Sequence, residues 1–150
     1  MVTTLLAIVL VSAVTCIGSL YARRYGSPEG LIALYVLFVT LSQIIASKIA
    51  LFDIGVATFT APAAVVIFAV TFLITDIVNE RFGRSTTYRM IAIAFATQIV
   101  MLAFLALSNS LEPAPFWDGQ DAWKRVFGIV PRIMLASWAT FLVSENLDAF

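Results

Sequence analysis

Asp76, Asn79, Glu80 and Gly83 stand at the end of a long apolar run, spaced i, i+3, i+4 and i+7, which on a helix places them on one face. Two carboxylates and an amide on one stripe can accept hydrogen bonds from the N–H groups of a solute. At membrane depth such groups are costly unless they face a partner, water or a solute. The plain alternative is a solvated helix end whose acids pair with Arg81, Arg84 or Arg89. Asp76 favours a functional role, because it follows the apolar run directly and sits deeper than an interfacial cap needs to. A second stripe holds Trp138, Phe141, Glu145 and Asp148, with Ser137 and Ser144 nearby. Aromatic faces beside carboxylates suit a planar, hydrogen-bond-donating solute, since the rings stack while the acids accept. Helix packing followed by a frayed end would leave the same pattern. Arg132 opens that segment, and its guanidinium either pairs with a carboxylate on another helix or snorkels to an interface. Upstream, Gln43 and Ser47 lie one turn apart with Lys48 beside them. Gln98 stands alone in its segment and reads as interhelical glue, and Cys16 as a small apolar residue.

Other chemistries are excluded. The chain has no histidine and a single cysteine, which removes an intrachain disulfide, Cys/His zinc sites and imidazole-dependent triads. It carries no Gly-rich phosphate loop, no G-x-S-x-G and no H-E-x-x-H, so no catalytic residue, metal site, cofactor or ATP site is expected, and the chain is not read as an enzyme. Uphill movement of a solute would need a coupled ion or a partner. Nine Lys/Arg balance nine Asp/Glu, so no basic surface points to nucleic acid.

The elements that must position these residues follow from composition. Of 150 residues, 61% are apolar and 12% charged, against roughly 25% charged in soluble domains. With a mean hydropathy of +1.00 the excess is not confined to one segment. The expected fold is an all-α, polytopic helical membrane protein, a single domain with about five transmembrane helices at 2–21, 31–49, 54–80, 90–111 and 126–148. Pro62 marks where the regular part of the third helix begins. Span one is not read as a secretory signal, because it lacks a charged leading region and is longer than a usual signal core. The connector 112–125, with Pro113, Pro115, Trp117, Gly119 and Trp123, reads as a partly ordered interfacial loop. Arg23, Arg24, Arg81, Arg84 and Arg89 fall in the first and third connectors, whereas Lys48, Lys124 and Arg125 fall in the second and fourth. The arginine-rich side is expected to be cytoplasmic, which puts the N-terminus outside.

The stretch Ser42-Gln43-Ile44-Ile45-Ala46-Ser47-Lys48, then Pro62, then Phe72 through Gly83 with its D-x-x-x-E-x-x-G pattern, then Arg89, resembles the queuosine precursor transporters, also called the vitamin uptake transporter family. Arg132-Ile133, Ala136-Ser137 and Phe141-Leu142-Val143-Ser144-Glu145 resemble that family's next membrane motif, and the likeness extends over about 31–148. It implies an inner-membrane importer of 7-cyano-7-deazaguanine and 7-aminomethyl-7-deazaguanine, salvaged for tRNA modification. Lys48, Asp76, Glu80, Gly83, Arg89, Arg132 and Ser137 match the family pattern, while Gln43 stands where Asn is usual, Ala69 where a Pro is common and Glu145 where Gln is typical. The substrate-binding set expected on both grounds is Gln43, Lys48, Asp76, Asn79, Glu80, Arg132, Trp138, Phe141 and Glu145. The resemblance implies six helices as usual for the family, so this chain is expected to add span one and to lack the last two. Its expected partners are the lipid bilayer, a planar base-like solute, and either another chain that supplies helices or a second copy. A membrane subunit served by an ATPase and a structural protein without a solute are the other classes considered.

Overall fold

The computed structural model describes residues 2–55 and 57–148, and the side chains of residues 139 and 141–148 lie outside that description. The described chain folds as helices α1 (Val2–Tyr25) and α2 (Glu29–Ile45), a hairpin of β1 (Ile49–Asp53) and β2 (Thr58–Pro62), then α3 (Val65–Phe82), α4 (Arg84–Ser110), α5 (Gln120–Phe127) and α6 (Val130–Asp148). The all-helical expectation holds for the bundle itself. It does not extend to 49–62, where an antiparallel hairpin replaces the end of the second expected span and the start of the third.

Local chemistry explains the hairpin. The Asp53 carboxylate accepts the backbone N–H of Gly55 at 2.8 Å, a turn held by a side chain. Phe52 and Phe59 face each other across the strands with ring centroids 5.5 Å apart, and strands favour such aromatic pairs. Pro62 ends β2, and Ala63 donates its N–H to the Lys48 carbonyl at 2.8 Å before α3 begins. Pro62 thus lies just ahead of the third helix, which starts at Val65 rather than at 54. The fifth expected span likewise begins later, at Val130, behind the separate short helix α5.

Helix α2 lies at the centre, in contact with α1, α3, α4 and α6. Its Leu31, Tyr35 and Val39 are fully buried with Ile74 and Val78 of α3 and Met90 and Ala94 of α4. Side chains this apolar and this enclosed supply the packing contacts that hold helices together in lipid. Two glycines let α1 approach α2. Gly18 leaves room for Leu34, whose Cδ1 would clash with a Cβ there, and Gly30 leaves room for the Tyr21 ring, 2.8 Å from where its Cβ would be. The two contacts are reciprocal, so each helix donates one bulky side chain to a gap in the other.

Between α3 and α4 the joint is a single residue. Gly83 has φ +81° and caps α3 by donating its N–H to the Asn79 carbonyl at 3.0 Å. The outer faces of the bundle are apolar: Val2, Leu5, Leu6 and Val9 on α1 and Phe104 and Leu107 on α4 are exposed. With 24 and 27 residues, α1 and α4 are long and apolar enough to cross a bilayer, and α2 is apolar but shorter.

Candidate functional site

Where α2 ends and α3 and α6 begin, the three helices and the end of the hairpin enclose a cleft of about 540 Å³. Its walls divide by chemistry. Phe68 and Phe72 of α3 form an aromatic side, ring centroids 5.4 Å apart and edge to face. Ser42 and Gln43 of α2 and Ser137 and Thr140 of α6 form a polar side, and Pro62 bounds the hairpin end.

Two of the hydroxyls are already committed as donors. Ser42 donates to the Val39 carbonyl at 2.8 Å and Ser137 to the Ile133 carbonyl at 2.7 Å, each on its own helix. A serine bonded in this way keeps its lone pairs available, so both present acceptors to the cleft. Gln43, only 5% exposed, adds an amide that can donate and accept. Aromatic walls facing fixed acceptors and one amide suit a flat solute with N–H groups along its edge.

The sequence-derived residues are distributed around this cleft rather than all within it. Gln43 lines it. Asp76 and Glu80 lie on the C-terminal half of α3 and are exposed, and Asn79 is half-buried. Spacings of i, i+4 and i+8 place Phe68, Phe72 and Asp76 on one stripe of α3, so the acidic stripe continues the aromatic wall by one turn. Lys48, just past α2, and Arg132, in the first turn of α6, are exposed at the end where Ala46, Pro62 and Ile133 line the cleft.

Trp138 faces away from the cleft's lining, toward α4. Its ring meets Phe95 at 5.1 Å in an edge contact, and its indole N–H donates to Oε1 of Gln98 at 3.3 Å. Gln98 is therefore the interhelical link its isolation suggested, and Trp138 is its partner. Phe141 and Glu145 belong to α6, but their side chains lie outside the described residues.

Phe68 and Phe72 were missed because an aromatic in an apolar run carries no signal of its own. Their i, i+4, i+8 relation to Asp76 is the signal that would have found them. Among the described residues no group of three or more His, Cys, Asp or Glu side chains is placed to hold a metal ion.

Residues 62–150 match the family model described as "Putative vitamin uptake transporter". The match begins at Pro62, so the 42–48 stretch lies outside it. A curated protein of Bacillus subtilis (strain 168) named "Probable queuosine precursor transporter" is 29% identical over 91 residues, 61% of this chain. The aligned part spans 40% of that relative's own length. No solved structure matches the chain.

Proposed function

The chain belongs to the vitamin uptake transporter family, and we propose that it is, or forms part of, a membrane carrier importing a queuosine precursor, 7-cyano-7-deazaguanine or 7-aminomethyl-7-deazaguanine. One observation carries the reading: a cleft walled by Phe68 and Phe72 on one side and by Gln43, Ser42 and Ser137 on the other. The base stacks against the phenylalanines, and its edge N–H groups meet the serine oxygens and the Gln43 amide. Asp76 and Glu80, one and two turns beyond Phe72, accept the remaining N–H donors as the solute moves along α3. A hydrogen bond to a charged group contributes about 1.5–3 kcal/mol, so two such acids give useful selectivity. Asn79 belongs to the same stripe, and Lys48 and Arg132 flank the opposite mouth. The sequence pattern keeps Phe141 and Glu145 as candidate contacts for the solute, and Trp138 sets the position of α6 through Gln98.

Helices α1, α2, α3, α4 and α6 are the five membrane spans of this reading. The membrane is the cell's inner membrane, and the arginine-rich helix ends at 23–24 and 81–89 face the cytoplasm.

The reading is tested by expressing the chain, alone and extended to the length of its relative, in cells unable to make queuosine. Deazapurine is supplied and modified tRNA is measured. Rescue by the extended form supports the substrate assignment, and absence of rescue by either form overturns it. Rescue that survives Gln43→Ala together with Phe72→Ala overturns only the assigned cleft.

A further inference from the structure

Helix α5 and the segment leading into it have no place in the solute path, yet their side chains are sorted with unusual strictness. On α5, Ala122, Trp123, Val126 and Phe127 fall within one arc of about 140°, and Gln120, Asp121, Lys124 and Arg125 occupy another of the same width. An eight-residue helix that buries none of its side chains derives little stability from such sorting unless something covers the apolar face. Its aromatic groups are also tied together. Trp117 stands 6.5 Å from Trp123, and Trp123 stands 4.2 Å from Phe127, while Phe116 is 93% exposed and Val126 45%.

We propose that residues 116–127 form an in-plane membrane anchor, whose aromatic face seats at the boundary between lipid headgroups and acyl chains. The occupant follows from continuity: α5 joins α4, long and apolar enough to cross a bilayer, to α6, so the connector leaves and re-enters the bundle at membrane level. Indole and phenyl rings prefer that boundary, with the indole N–H toward the wet side. Charge agrees. Lys124 and Arg125 sit on the opposite face, where they reach lipid phosphates, and Arg125 is steadied by donating its Nε–H to the Asp121 carbonyl at 3.2 Å. The anchor holds the start of α6 at a fixed depth, and with it Ile133, Ser137 and Thr140 of the cleft wall.

The test uses the whole chain in phosphatidylcholine nanodiscs, with Trp138→Phe so that Trp117 and Trp123 alone report. The expected result is blue-shifted tryptophan emission, quenched most by lipids brominated near the glycerol end of the acyl chain. A second measurement keeps all tryptophans and uses Cys16→Ser: Lys124→Cys is expected to react with an impermeant maleimide, and Val126→Cys to be protected. Water-like emission with equal labelling of both positions overturns the proposal in favour of a solvated loop. Quenching mainly by bromines at the chain ends overturns it in favour of deep insertion. Blue-shifted emission that no brominated lipid quenches also overturns it, because a protein surface then covers the face.

Discussion

Trp138 on α6 and Gln98 on α4 form a hydrogen bond of 3.3 Å between an indole N–H and an amide oxygen, and the amide nitrogen of the same fully buried Gln98 has no partner among the described residues. Such a bond is lopsided. Removing the donor strands the whole buried amide, whereas replacing the amide with an apolar side chain of similar size strands only the indole N–H of half-buried Trp138.

Trp138→Phe is therefore expected to destabilise the chain by about 1–3 kcal/mol, and Gln98→Leu by less, with the double variant costing less than the sum of the two. Thermal unfolding in detergent, run as a double-mutant cycle, measures the three. Additive costs would show that the bond contributes nothing.

Gln43→Ala and Phe72→Ala are expected to raise the KM for solute uptake by about tenfold each, from the loss of one hydrogen bond or one stacking face, with the maximal rate little changed. Uptake kinetics in vesicles check this. A fall in maximal rate at constant KM would place both residues outside the binding step.

Asp76→Asn and Glu80→Gln are expected to weaken uptake by about tenfold or more each, the equivalent of one charge-assisted hydrogen bond. If both variants transport normally, these acids are a solvated helix end, and the arginines nearby are their partners.

The long helices were legible in the sequence because each is an apolar run long enough to be counted, and Gln43 because an amide inside such a run is conspicuous; α5 was not, being short and half polar. The hairpin was hidden by the same rule. Residues 49–52 and 59–62 are apolar enough to be absorbed into flanking spans, and the marks of a turn, Asp53 followed by Gly55, are short beside them. Trp138 was legible as chemistry but not in direction: whether an aromatic faces a cleft or a neighbouring helix depends on what packs beside it, here Phe95 and Gln98. Phe68 and Phe72 share a legible stripe with Asp76, but that this stripe borders a cleft follows only from the packing of α2 and α6 beside α3.

Glycine substitutions should separate steric from conformational demands. Gly18→Val forces Leu34 out of its place between α1 and α2, with an expected cost of about 1–3 kcal/mol from overpacking. Gly83→Ala meets nothing within 4 Å, so its cost, about 1–3 kcal/mol, arises only from the backbone at φ +81° and ψ 164°, a region essentially confined to glycine. Restoration of stability by Leu34→Ala in the first case and not in the second distinguishes them.

Asp53 titrates in the open hairpin turn, and the backbone N–H of Gly55 holds its carboxyl below the ordinary value of 3.8. A lowered folded-state value means that this bond favours the fold fully above the ordinary range and is lost as pH falls through the lowered value. A carboxyl-carbon NMR titration of Asp53 is expected to give a midpoint below 3.8, and one above it would show the turn to be open in solution.

The cleft lining contains serine, threonine, glutamine and hydrocarbon but no formal charge. In the proposed reading the 7-cyano base is neutral and moves no net charge when it changes sides, so the membrane potential, worth about 2.3 kcal/mol per elementary charge at 100 mV, does no work on that transfer, whereas the 7-aminomethyl base carries an ammonium and is acted on by it. On that reading, accumulation of the neutral base depends on how quickly the cell consumes it, unless one of the acids beyond Phe72 brings a proton with it.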